Sequence, residues 1–121
     1  MTRYLVLLVL GMLLLNPAIA GTEVEIQHLF TFIEDSGCTF ERNGTHYPAA
    51  EARSHIQKKY HHTERWIKTT EDFVKYTATK SSISGKPYHV ICQGKRQPSA
   101  RWLLAELERY RSEKAALLPK D

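Results

Sequence analysis

Neither sign of charge dominates this chain of 121 residues: 17 lysines and arginines face 13 aspartates and glutamates, a formal net charge of +4. That balance excludes a disordered polyelectrolyte and is too modest to define a nucleic-acid-binding protein. No internal repeat, low-complexity tract or linker is visible in the sequence, and the length excludes a multidomain enzyme. Cysteine is scarce, with two in the chain. Cys38 and Cys92 do not form a C-x-x-C pair, which argues against a metal pair or a catalytic thiol. What remains, 42% hydrophobic and 10% aromatic residues, suffices for one small folded domain.

The one long apolar run lies at the start. Arg3 precedes Tyr4 to Leu15, Asn16-Pro17 breaks the run, and Ala18-Ile19-Ala20 supplies small residues. A spanning helix needs about 20 apolar residues, so the segment reads as a secretory signal peptide cleaved after Ala20, with no stable membrane span afterwards. Residue 21 is Gly, so no acceptor thiol for a lipid anchor follows the cleavage site. Cleavage removes one cation, Arg3, and no acid, leaving 16 basic against 13 acidic residues and a charge of +3.

In an exported domain, two cysteines favour a structural disulfide. Closing a loop of this length contributes about 4 kcal/mol by the chain-entropy argument. The residues themselves leave open whether Cys38 and Cys92 pair within one chain or between chains.

Ile26, Leu29, Phe30 and Ile33 recur at helical spacing up to Ser36-Gly37, which predicts a first helix. Cys38 to Arg42 alternates, and Asn43-Gly44 signals a turn. Pro48 suits the first turn of a second helix, buried along Ala52, Ile56 and Tyr60 and fraying near His61-His62. Thr69, three residues before Asp72, caps a third helix with Phe73, Val74 and Thr77 inward. Tyr88 to Cys92 is a β-rich run, Gln93 to Pro98 reads as a loop, and Ser99 caps a last helix along Ala100, Leu103, Leu104, Leu107 and Tyr110. The expected fold is α+β and mostly helical: about four helices on a short two-stranded β element stapled by the disulfide.

Three strings give a resemblance: Cys38-Thr39-Phe40-Glu41-Arg42-Asn43-Gly44 with Tyr47, Ala52-x-x-His55-Ile56-x-x-Lys59, and Ser81 to Tyr88. Together with Trp102-Leu103 they resemble the YfeK-like family, small exported bacterial proteins that share a domain of unknown function. The resemblance spans nearly all of residues 21–121. It implies a bacterial source and a periplasmic address, and it brings no substrate, cofactor or catalytic assignment. It nominates Arg42, Asn43, Gly44, Tyr47, His55, Lys59, Ser82, Ser84, Gly85 and Tyr88.

Arg42, Tyr47, His55 and Lys59 can converge into a polar pocket, because the turn at Asn43-Gly44 leads into the helix that carries His55 and Lys59. Arg42 offers a two-pronged hydrogen bond to an anion. The structural reading gives Arg42 to loop carbonyls, lays Lys59 over the core and satisfies His55 internally. The Ser81 to Lys86 loop lacks the earlier glycine of a nucleotide-binding P-loop, and Pro87 stands where its hydroxyl would be. No Ser-x-x-Lys spacing is present either, so a turn before a strand is the better reading. Glu51, His55, His61 and His62 are zinc-type ligands without a recognised spacing, and no metal or cofactor is expected. Asn43-Gly44-Thr45 fits a glycosylation sequon, which a bacterial source turns into a plain turn. Lys86, Lys95, Arg96 and Arg101 are basic but lack an aromatic ladder for nucleic acid.

The resulting expectation is a non-enzymatic periplasmic binding or accessory module that recognises a protein segment or an anionic envelope component. Its binding residues would be Arg42, Asn43, Tyr47, His55, Lys59, Ser82, Ser84 and Tyr88. The alternative is a small hydrolase or transferase using His55 with a serine of the 81–84 loop. A third reading makes the whole set a folding framework around the disulfide.

Overall fold

The computed structural model describes residues 17–119, with side chains from Gly21 onward, so most of the expected signal peptide lies outside the described residues. Helix α1 (Pro17–Asp35) is followed by strands β1 (Thr39–Arg42) and β2 (Thr45–Pro48) and helix α2 (Ala49–Thr63). After a 3-10 turn, Glu64–Trp66, come α3 (Thr70–Thr77), β3 (His89–Cys92), β4 (Lys95–Pro98) and α4 (Ser99–Ala116). The α+β class and the four helices agree with the sequence, but the β element has four strands. They form one antiparallel sheet in the order β2-β1-β3-β4.

Both additional strands are outer partners of hairpins. At the two turns, Asn43 and Gly44 have φ of 51° and 78°, and Gln93 and Gly94 have φ of 52° and 79°. Positive φ at both central residues matches the right-handed twist of the flanking strands, and glycine at the second position avoids a Cβ clash. The segment read as a loop, Gln93 to Pro98, is therefore a turn plus β4. Pro48, expected inside the second helix, instead ends β2 and supplies the extended residue before α2.

The expectation of no internal repeat is corrected too. Thr39 pairs with Pro48 and Arg42 with Thr45 in the first hairpin; His89 pairs with Pro98 and Cys92 with Lys95 in the second, the same register fifty residues on. A helix precedes each hairpin and another follows it. In the central β1–β3 pair, Phe40 lies opposite Val90, its own counterpart, so a pseudo-twofold axis passes through that pair. Across each hairpin and the helix that follows it, Gly44 and Gly94, Pro48 and Pro98, Ala50 and Ala100, and Tyr60 and Tyr110 are identical pairs at this offset.

The helices cover one face of the sheet. Ile26, Leu29, Phe30 and Ile33 of α1 are all buried and meet Phe73 and Val74 of α3, Ala52 and Ile56 of α2, Leu103 of α4, and Phe40 and Val90 of the sheet. The Phe30 and Phe73 rings meet edge to face at 5.3 Å, a favoured aromatic geometry. Thr69 and Asp72 form the expected capping box of α3. Two details of α4 differ from the expected stripe. Leu104 is 40% exposed and Glu106 is 7% exposed; the buried carboxylate is sustained by His28 at 2.6 Å and Arg109 at 2.8 Å. The N-cap of α4 is Pro98, not Ser99, whose hydroxyl makes no cap bond.

Cys38 and Cys92 form one intramolecular disulfide with Cα atoms 4.7 Å apart. The open face of the sheet carries a cross-strand charge cluster in which Arg96 donates two hydrogen bonds to Glu41, at 3.1 and 2.9 Å, and lies 3.2 Å from His89. No helix among the described residues is long and apolar enough to cross a membrane.

Candidate functional site

A cavity of about 210 Å³ opens between α2 and the end of the β1–β3 pair. Apolar groups from Phe40, Ala52, Ile56 and Ala78 line it. Arg42, Tyr47, His55, Lys58 and Tyr88 also line it and supply polar groups, together with Glu51 and Ser54 from the outer side of α2. The strand alternation that buries Phe40 puts Arg42 on the same face of β1. His55 lies one turn before Lys59 on α2, and both reach the same tyrosine.

The Tyr88 hydroxyl lies 3.1 Å from His55 Nε2 and accepts from Lys59 Nζ at 3.2 Å. With the ammonium obliged to donate, the phenolic proton goes to His55, whose Nε2 accepts in the neutral form. Burial, reinforced by the charges of Arg42, Lys59 and Lys58, pushes the His55 pKa down. Burial also lowers that of Lys59, with Arg42 adding to it, and raises that of Tyr88 against the opposing pull of Arg42. Arg42 donates to the Tyr47 hydroxyl at 3.2 Å, with its guanidinium 5.3 Å from the ring centre.

No carboxylate forms an ion pair with Arg42, Lys58 or Lys59 among the described residues, whereas Arg53, Arg96, Arg109 and Arg111 all have such partners. Glu41 borders the cavity but is held by Arg96, leaving Glu51 as the other carboxylate there. The Ser99 side chain is a further unusual feature: it is 3% exposed, lines the cavity, and has no hydrogen-bond partner for its hydroxyl among the described residues. Buried hydroxyls are rarely left so, because an unmade hydrogen bond costs about 1–3 kcal/mol.

Of the residues named from sequence, Arg42, Tyr47, His55 and Tyr88 come together at the cavity. Lys59 stands behind it, donating to the Lys80 carbonyl at 2.9 Å as well as to Tyr88. Asn43, Ser81 and Ser84 form a separate clasp: Asn43 Nδ2 donates to Ser81 Oγ at 3.3 Å, and Ser84 Oγ donates to Asn43 Oδ1 at 2.5 Å. Ser81 Oγ also accepts from the Ile83 and Ser84 amides, and Gly85 has φ of 74°, as a turn requires. Ser82 is exposed and lines no part of the cavity. His55 makes no hydrogen bond to any serine among the described residues; its partner is Tyr88. Lys58, Ser54 and Ser99 were missed, the first two because they lie beside the apolar stripe of α2 and the third because it resembles a helix cap. His61 pairs only loosely with Glu64, at 3.9 Å, and no cluster of three or more metal-type ligands occurs among the described residues.

The fold and site define a small disulfide-stapled α+β domain with a cavity lined in part by cations. Residues 20–111 match a family of unknown function, DUF5329, and the chain belongs to that family. It is 35% identical over 91 residues to the uncharacterized protein YfeK of Salmonella typhimurium, covering 71% of this chain and 76% of that protein. No solved structure matches.

Proposed function

We propose that this domain is a non-enzymatic periplasmic binding module that holds a small organic anion in the cavity between α2 and the sheet. The observation that carries this reading is the pair of cations lining the cavity, Arg42 and Lys58, which make no ion pair with a carboxylate among the described residues, with the Lys59 ammonium behind them on Tyr88. Such charges beside an apolar wall favour a ligand with an anionic head and an apolar body. Burial and the charges of Arg42, Lys59 and Lys58 favour the neutral form of His55, which suits recognition, and among the described residues no serine is hydrogen-bonded to it as a nucleophile. A signal-like first 20 residues, the disulfide and a bacterial relative support export to the periplasm.

Native mass spectrometry of the exported protein tests this. The wild type is expected to retain a small anionic adduct that the Arg42→Gln/His55→Gln variant loses while its melting temperature stays near that of the wild type. Collapse of thermal stability in the variant would show that these residues are scaffold and end the reading.

A further inference from the structure

The pseudo-twofold axis relates Ala52 on α2 to Trp102 on α4, because both helices follow their hairpins at the same fifty-residue offset. In the second half the Trp102 indole is filled in between Phe32 and Phe40, with ring centres 4.5 and 5.5 Å away. In the first half the corresponding side chain is a methyl group, and the cavity opens beside it against the same Phe40. Phe40 can serve both halves because it sits on the axis, opposite Val90.

The same axis relates the disulfide to the polar groups. Cys38 precedes β1 and Cys92 ends β3; their counterparts are Tyr88, which precedes β3, and Arg42, which ends β1. One half is closed by an indole beside a disulfide, and the other is left open beside a guanidinium and a phenol. Resting on the binding reading above, we propose that the cavity takes an aromatic carboxylate whose ring, up to indole size, occupies the place that Trp102 fills in the other half. The volume of about 210 Å³ exceeds the roughly 150 Å³ of an apolar cavity that holds benzene. Arg42 receives the carboxylate through two N–H groups, its planar fork matching the two oxygens.

The test is calorimetric titration of the exported, disulfide-bonded protein with three probes: indole-3-acetate, which carries ring and charge; hexanoate, charge without a ring; and indole, ring without charge. Indole-3-acetate is expected to bind at least ten times more tightly than either of the others. Equal binding of hexanoate overturns the ring assignment while leaving an anion site in place. Equal binding of indole overturns the carboxylate assignment and the anion reading with it, and binding of none of the three overturns both. Ala52→Trp, which installs the indole covalently, is expected to abolish indole-3-acetate binding with the fold retained; undiminished binding by the folded variant refutes the placement. Arg42→Gln provides a check independent of how Ala52→Trp folds: indole-3-acetate should weaken at least tenfold while indole does not change, and equal weakening of both overturns the role of the guanidinium.

Discussion

Replacing Ser99 by alanine should make the ligand-free protein more stable, although the residue is buried and begins a helix. Its hydroxyl has no partner among the described residues, so removing it relieves a desolvation penalty of about 1–3 kcal/mol. Alanine also has a higher helix propensity than serine, adding a few tenths of a kcal/mol. The removed atom is small, and its loss enlarges an existing cavity rather than opening a new one. The hydroxyl does not cap α4, so no cap is lost. A net gain of about 1–2 kcal/mol follows, equivalent to roughly 4–15 °C in melting temperature for a domain of this size. Guanidinium unfolding followed by circular dichroism, with thermal melts beside it, measures the gain. A Ser99→Ala protein less stable than wild type would refute the reasoning, since it would mean that the hydroxyl is satisfied in the folded state.

Two further predictions concern the staple and the buried imidazole. Cys38→Ala/Cys92→Ala should lose about 4 kcal/mol, since the disulfide spans a sequence separation of 54; a reduced wild type and the double variant should unfold at the same denaturant midpoint. The folded His55 has a pKa below that of the unfolded chain, so between those values the unfolded state binds more protons. Stability from this group is complete above about pH 6.5 and declines as the pH falls toward the lowered folded value. Denaturant midpoints from pH 7.5 to 5 should therefore fall more steeply for wild type than for His55→Gln, and identical slopes would show that His55 is not held neutral by its surroundings.

The helices were legible because one apolar stripe in each decides its burial. Ile26, Leu29, Phe30 and Ile33 are all 0–1% exposed as their spacing implies, and Thr69 with Asp72 announces its capping box. The outer strands were not legible. Thr45–Pro48 and Lys95–Pro98 are edge strands with partly or fully exposed side chains, so neither shows the alternation that marks a half-buried strand. The repeat was hidden for a related reason: register and backbone turns persist while the side chains have diverged, with Ala52 against Trp102 and Ile56 against Glu106. Within the site, Arg42, Tyr47, His55 and Tyr88 stood out as polar residues near a turn. Ser99 did not, because a serine after a proline at a helix start ordinarily caps, and only three-dimensional packing shows its hydroxyl without a partner.

The pseudo-twofold axis inside one chain also bears on how many copies of the proposed ligand a chain would take up. Two separate copies of a hairpin-helix unit, paired through their first strands, would form an isologous dimer in which any change at one site is repeated at the other. A staple at one position would then appear at both, and so would a cavity. Joining the units in one chain removes that constraint, so Cys38 and Cys92 can close one side while Arg42 and Tyr88 stay open on the other. For the ligand proposed above, the expected stoichiometry is one per chain, because the described residues hold no symmetric counterpart of the cavity.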